Sequence, residues 1–379
     1  MRGVFVDFIR ISQRHPGRLD PETGELLPTL PTVDSGIVAK FSPGPTGELQ
    51  VEWEVTSRRQ LEGSFDSLIL LHCDGFKVSL EGNVGRFNRP DNVFNLDFEK
   101  TIAACNRFLA QHDLPPFTAG ERILNPNPSD YDIEHGLFEV WTGATISEIH
   151  LTRNYLCGSY AAAESVIGWL NTQSVSHIKK GRGGSTTVAF GGNGTSRKKM
   201  TFYLKAPEML SHPHGRKRAE IKADPVYQYC EQNGLLRAEL KAKRLLLRDA
   251  GLRYLGDVTM PKLVRLYEME MDILDRVKVD ASSIDLSTLP AAVRSTADSY
   301  LRGGRPRSYL SKPTFYRHAK ILREYGLDIT ADSDRENSPQ FRIEVVQIQL
   351  VEQAPEWYWP HQRQLRLIQG GQQAIAEAA

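Results

Sequence analysis

Tyr203 stands in the run "SRKKMTFYLKAPEML" at 196–210, behind Arg197, Lys198 and Lys199 and two residues ahead of Lys205. As a strand, this run puts Met200, Phe202 and Leu204 on one face and Lys199, Thr201, Tyr203 and Lys205 on the other. A phenol among ammonium groups has its phenolate form favoured, and the same cations can hold a phosphate. That is the setting of a nucleophile aimed at phosphorus. The same composition also suits the solvated outer face of an antiparallel sheet.

Two further runs carry chemistry in the same way. In "ATISEIHLTRNYL" at 144–156, Glu148 and His150 fall on one face, with Ile149 and Leu151 on the other. The run "GLLRAELKAKRLLLRDAGL" at 234–252 can form a helix with Leu236, Leu240, Lys243 and Leu247 along one stripe, or, as favoured, a strand to about residue 243 followed by a helix, with Arg237, Glu239, Lys241 and Lys243 sharing a strand face. Side by side in one sheet, these strands would gather Glu148, His150, Tyr203, Lys205, Arg237 and Glu239. Carboxylate plus imidazole is a donor set for Mg²⁺ or Mn²⁺, which can polarise a phosphodiester while a tyrosine attacks it. His150 also fits a hydrogen-bonded strand histidine, and Glu239 an ion pair with Arg237 or Lys241.

The elements that must position these residues are readable along the chain. At 379 residues the protein is long enough for two or three domains, and 40% hydrophobic with 25% charged residues is ordinary for a folded soluble chain. Residues 1–130 form an N-terminal α+β part. In it "GVFVDFIRIS" alternates, "SLILLHCDGFKVSLEGNVGRF" makes two strands turning at Asp74-Gly75, and "NLDFEKTIAACNRFLAQHDL" has helical spacing. The connector "LPPFTAGERILNPNPSD" reads as a surface loop. Residues 131–256 form the catalytic sheet, with the helix "SYAAAESVIGWLNT" and a hairpin made of "STTVAF", the turn "GGNGTS" and the Tyr203 strand.

Residues 257–379 are mainly helical with a final strand, "FRIEVVQIQLVEQ", and an aromatic tail. The helix "SKPTFYRHAKILREYG" has Ser311 as its cap, Pro313 in its first turn and Gly326 as its stop. It projects Arg317, Lys320 and Arg323, so with its partner helix it suits a helix-turn-helix reader of DNA.

Net charge is only +1, but between Ile178 and Arg248 there are 16 Lys plus Arg against 5 Asp plus Glu. A basic segment around Tyr203 points to a polyphosphate partner. No apolar run approaches the ~20 residues of a membrane span, and the alternating N-terminus is unlike a signal peptide, so a cytoplasmic location is expected. Cys73, Cys105, Cys157 and Cys230 lack metal-binding spacing and are expected to be reduced and structural.

The segments "ATISEIHLTRNY", "STTVAFGGNGTSRKKMTFYLK", "GLLRAELKAKRLLLRDAGLRYLG" and "APEWYWP", with "GVFVDFIRIS" and "NRPDNVFN" before them, occur in an order that resembles the filamentous-phage replication initiators of the gene II type and related plasmid proteins. The likeness runs through nearly the whole chain. The resemblance implies an α+β fold with a central antiparallel sheet of the rolling-circle nickase (HUH-like) type and a helical C-terminal region. It assigns Tyr203, with Lys205 beside it, the nicking of the plus strand and a covalent link to a 5′ phosphate. Arg237 and Glu239 match the family's Arg-x-Glu. Glu148 and His150 replace its usual Arg-x-Asp, which puts the metal role of His150 in question.

The expectation is a rolling-circle initiator that nicks a phage or plasmid origin in a bacterial host and rejoins the ends after a round of synthesis. Tyr203 and Lys205 would be catalytic, with Mg²⁺ or Mn²⁺ held by His150, Glu239 and Glu148. Arg197, Lys198, Lys199, Arg237, Arg317, Lys320 and Arg323 would contact origin DNA, and host helicase and polymerase would be partners. A DNA-binding regulator without catalysis and a tyrosine recombinase are the rival readings, separated by nicking and by chelator sensitivity.

Overall fold

The computed structural model describes residues 3–44, 48–173, 175, 181, 183–192, 197–273, 289–301, 304–324, 327, 329–330 and 348–365. The chain forms two compact units. One, here the N-terminal unit, comprises Phe5–His150, Ala242–Leu263 and Trp359–Ala379; the other, the tyrosine unit, comprises Met1–Val4, Leu151–Lys241 and Val264–Tyr358. The strand Thr145–Leu156 belongs to both, since His150 ends a segment of the first and Leu151 opens one of the second.

In the N-terminal unit the alternation of "FVDFIRISQR" is realised as the strand Phe5–Arg14, with Ile9 and Ile11 wholly buried. It pairs antiparallel with Lys77–Gly82, Ile11 opposite Leu80, and that strand pairs with Ser67–Asp74. The turn between them falls where expected. Asp74 Oδ1 accepts from the backbone N–H of Phe76 at 2.9 Å and of Lys77 at 2.6 Å, while Gly75 adopts φ +89°. These local bonds fix the register, so Ile69, Leu71, Cys73, Val78 and Leu80 all point into the core. Helix Phe98–Ala110 is capped by Asp97, whose Oδ1 accepts from Lys100 N at 2.8 Å, and it buries Thr101, Ala104, Cys105 and Leu109 at helical spacing.

In the tyrosine unit the strand order is Thr187–Phe190, Lys198–Leu204, Leu235–Lys243 and then the second half of Thr145–Leu156. The short strand Gln349–Leu350 pairs antiparallel with Leu156 and Tyr155. Helix Tyr160–Leu170, capped by Ser159, buries Ala163, Val166, Ile167 and Leu170. The turn into Leu235–Lys243 depends on Gly234. It has φ +57°, and a Cβ there would lie 1.9 Å from the Ser159 carbonyl oxygen. The strand is followed by helix Arg244–Asp249, as the sequence indicated.

Helices Ala291–Leu301 and Lys312–Glu324 share an apolar core of Val293, Ala297, Tyr300, Phe315, Ala319 and Leu322. Within it the Thr296 hydroxyl and His318 Nδ1 lie 2.8 Å apart, and burial pushes the imidazole pKa down. The cap holds, with Ser311 Oγ accepting from Thr314 N at 3.4 Å.

The four cysteines are buried and form no disulfide. The connector after Leu114 differs from a plain loop: it contains strand Arg122–Leu124, paired with Glu139–Trp141, and is followed by helix Asp130–Glu134 with a Ser129/Asp132 capping box. Its short β-run was obscured by flanking Pro and Asn. The helix stop at Gly326, the Gly/Asn turn at 193–196, the basic Lys179, Lys180 and Arg182, and the tail strand before residue 348 lie outside the described residues.

Candidate active site

Tyr203 lies on the strand Lys198–Leu204, opposite Thr187 of the neighbouring strand. Met200, Phe202 and Leu204 are core residues at 0–2% exposure, as the alternation requires. On the other face Lys199 and Thr201 are half-buried, but Tyr203 is 9% exposed, so its ring is more enclosed than an outer polar face implies. The Thr201 hydroxyl, on the same face, is buried with no hydrogen-bond partner among the described residues.

Lys205 departs from its expected place. The ladder stops at Leu204, and Lys205 is the first residue of helix Lys205–Ser211. Pro207 explains the switch, because a proline fits the first turn of a helix and cannot donate to a sheet ladder. The side chain of Lys205 is 2% exposed; its Nζ donates to Glu208 Oε2 at 2.6 Å and lies 5.9 Å from the Tyr203 ring centroid. Burial pushes the Glu208 carboxyl up, but the charges of Lys205 and then Arg237 outweigh it and hold it below the usual carboxylate range. The ammonium beside the tyrosine is therefore fixed by a carboxylate three residues on. An i,i+3 pair after Pro207 was the available signal for Glu208.

Of the basic residues ahead of Tyr203, Arg197 is exposed, Lys199 is half-buried, and Lys198 is ion-paired with Glu270. Arg237 is wholly buried, with its Nε donating to Asn154 Oδ1 at 3.1 Å. Both faces of its strand are covered, which strand periodicity does not reveal. Glu239 is 12% exposed and pairs with Lys241 at 3.4 Å, the bland alternative of the sequence reading.

Other tyrosines of this unit are hydrogen-bonded or have raised pKa values. The Tyr227 hydroxyl donates to Glu231 at 2.7 Å; burial first and that bond second push its pKa up to about 12. Tyr229 is raised by burial, and Tyr267 donates to the Ala238 carbonyl at 3.0 Å from a fully buried position.

In the N-terminal unit, Glu148 and His150 meet as their spacing indicated. His150 Nε2 donates to Glu148 Oε1 at 2.9 Å, and Arg10 Nη1 lies 3.2 Å from Glu148 Oε2. Arg10 is held in turn by two 2.8 Å bonds to Glu81, which Arg58 also contacts. Phe8 stacks on the imidazole, ring centroids 4.6 Å apart. The hydrogen bond from His150, followed by the charges of His150, Arg10 and Lys243, keeps the Glu148 carboxyl low against its burial.

Among the described residues no three His, Cys, Asp or Glu side chains converge as a metal site. The Glu148–His150 pair nonetheless has donor chemistry that fits a divalent ion. Mg²⁺ takes one or two protein ligands and completes its shell with water and substrate phosphate oxygens. A cation there would displace the proton now joining the two side chains.

Arg317, Lys320 and Arg323 are all exposed on helix Lys312–Glu324, with Arg323 Nη2 also 3.3 Å from the Thr330 hydroxyl. Phe315, Ala319 and Leu322 on the buried side fix that orientation.

Comparison with known proteins gives these positions a context. The family pattern described as the N-terminal part of the replication-associated protein of the gene II type matches residues 33–261, and its C-terminal counterpart matches residues 286–363. The replication-associated protein of this type from Escherichia phage If1 is 25% identical over 77% of this chain and 97% of its own length. That of Enterobacteria phage I2-2 is also 25% identical, over 82% of this chain and 87% of its own. Among solved structures, a rolling-circle replication initiator protein from Geobacillus stearothermophilus covers 67% of this chain and 86% of its own, at 11% identity and a TM-score of 0.26. The N-terminal pattern alone spans more than half of the chain and takes in Glu148, His150, Tyr203, Lys205 and Glu239, and on that match the protein belongs to the gene II family of replication-associated proteins.

Proposed function

We propose that this protein initiates rolling-circle replication by nicking the plus strand of a phage or plasmid origin and later rejoining the ends. The family match across residues 33–261 carries this reading. The placement of Tyr203 beside a fixed lysine supports it.

In the proposed reaction the Tyr203 oxygen attacks a backbone phosphorus in line. A phosphotyrosine ester to the 5′ end forms, the bond to the 3′ oxygen breaks, and that oxygen leaves as a hydroxyl that primes host polymerase. The phenolic proton passes to solvent or a nearby base. The Lys205 ammonium, held by Glu208, offsets negative charge developing at the phenolate and phosphate. The return step reverses the exchange: a 3′-hydroxyl attacks the phosphotyrosine, the strand closes and Tyr203 is released.

Glu148 and His150 are the proposed holders of Mg²⁺ or Mn²⁺. The bound cation would supply Lewis acidity to the phosphate. Arg197 and Lys199 are proposed to hold the strand, and Arg317, Lys320 and Arg323 the duplex. Lys198 joins them by giving up its bond to Glu270. Host helicase and polymerase are the expected partners, in the bacterial cytoplasm. No helix among the described residues is long and apolar enough to cross a membrane.

The test is relaxation of supercoiled DNA carrying the origin. Nicked circles should form with Mg²⁺, vanish with chelator and be absent with Tyr203→Phe. Origin binding without nicking by the parent protein would instead identify a regulator.

A further inference from the structure

We infer that the segment His212–Lys222 is a binding surface for the single DNA strand at Tyr203, with Lys217, Arg218 and Lys222 on its phosphates and the His212 and His214 rings as a stacking platform for a base. This rests on the initiator reading above and carries the path of the strand beyond Arg197 and Lys199. The run "SHPHGRKRAEIK" at 211–222 has four basic residues and two histidines against one glutamate. Arg216 is the one of the four in an ion pair among the described residues: its Nη1 donates to the buried Asp224 Oδ2 at 2.7 Å. Lys217, Arg218 and Lys222 are exposed. Glu220 is turned to the Lys217 backbone N–H, at 3.2 Å. Arg218 and Lys222 stand four residues apart on helix Arg218–Ala223, where like charges repel and weaken the helix. Folding gives no reason for such a pair, whereas a row of phosphates does.

The loop joining helices Lys205–Ser211 and Arg218–Ala223 is held in a costly shape. His214 and Gly215 adopt φ +51° and +76°, and the left-handed region is uncommon for a residue with a side chain. The surroundings enforce it. Arg216 N donates to the Pro213 carbonyl at 3.0 Å, and Asp224, which holds the Arg216 side chain, also caps helix Pro225–Gln232 by accepting from Val226 N at 2.8 Å. Strain kept in this way marks a segment that serves a ligand. It presents two imidazoles whose planes are 25° from parallel and whose centroids are 6.3 Å apart, with the His212 side chain 64% exposed.

The surface begins one short helix from the tyrosine. Lys205, whose Nζ is 5.9 Å from the Tyr203 ring centroid, opens helix Lys205–Ser211, and His212 Nδ1 donates back to the Glu208 carbonyl oxygen at 3.3 Å. Seven helical residues span ~10 Å, about three nucleotide steps of 3.4 Å. A strand seated at Tyr203 therefore meets the loop within a few nucleotides. Unpaired bases offer their faces to the imidazoles, which the stacked bases of a duplex do not, so the occupant is the single strand.

Fluorescence anisotropy of the full chain with a labelled single strand from the origin, in chelator and across a salt series, tests this. Lys217→Gln, Arg218→Gln and Lys222→Gln together should lower the salt slope by about 2, from three contacts at ~0.7 each, and so weaken binding about 100-fold near 0.1 M salt, the loss fading towards 1 M. The substituted side chains are exposed, so melting should match the parent. His212→Ala should weaken binding by about 5-fold or more at unchanged slope, and His212→Phe should restore it. A charge-matched triple in the N-terminal unit, Arg18→Gln, Lys40→Gln and Arg122→Gln, should bind like the parent. A parent that does not bind the strand, parent-like binding by the first triple, or an equal loss in the control triple overturns the inference, and parent affinity in His212→Ala overturns the stacking platform. Nicking of supercoiled origin DNA is scored separately: a parent that never nicks fails the initiator reading, whereas a nicking parent whose first triple binds the strand unchanged overturns this inference alone.

Discussion

Replacing Glu208 with Gln removes one charge from the pair that fixes the lysine beside Tyr203. The Lys205 side chain is 2% exposed and donates at 2.6 Å, so its ammonium would keep its burial while losing its counter-charge. Stranding one member of a fully buried pair costs about 3–5 kcal/mol. Glu208 is itself 26% exposed, and the amide oxygen of Gln can still accept, so about 2 kcal/mol is the expected loss. Spread over a large cooperative unit, that lowers the melting temperature by about 4–8 °C.

Calorimetry at several pH values supplies a second signature. The folded carboxyl of Glu208 titrates below its unfolded value, so its contribution is fully present above an unfolded pKa of about 4.3 and fades as pH falls through the folded value. The gap between parent and Glu208→Gln should therefore be full at neutral pH and close on acidification. Replacing both partners, Lys205→Met with Glu208→Leu, should restore much of the stability while leaving nicking impaired. Equal melting at neutral pH, or a gap that does not close in acid, would refute the reasoning.

Two further outcomes follow from the site. Arg317→Ala should weaken origin binding by roughly 1–3 kcal/mol if the residue reads a base, or lower the salt slope by about 1 if it touches only phosphate; unchanged binding in a filter or anisotropy assay removes the helix from the interface. His150→Ala should raise the Mn²⁺ concentration needed for half-maximal nicking while origin binding persists. A response identical to the parent would leave His150 as a hydrogen-bond partner of Glu148 and no ligand.

Much of this fold was legible because its signals are local. The period-two run at Phe5–Arg14, the Asp74-Gly75 turn and the Asp97 cap each name their own structure, and the meeting of Glu148 with His150 follows from strand geometry alone. What sequence could not give was cover. Arg237 and Tyr203 read as polar-face residues, yet elements distant in sequence enclose them. Lys205 was misplaced for a local reason: Pro207 ends the sheet ladder, and reading it as a helix start would have exposed the bond to Glu208.

The most direct test of the central claim is chemical. Origin DNA radiolabelled just 3′ of the nick should be cleaved by the protein, digested with nuclease, and the labelled peptide sequenced. The account predicts a nucleotide joined through its 5′ phosphate to the peptide containing Tyr203, with no adduct from Tyr203→Phe. A label recovered on Tyr227, Tyr229 or any other residue, or a nick formed with no covalent protein–DNA species at all, would contradict it.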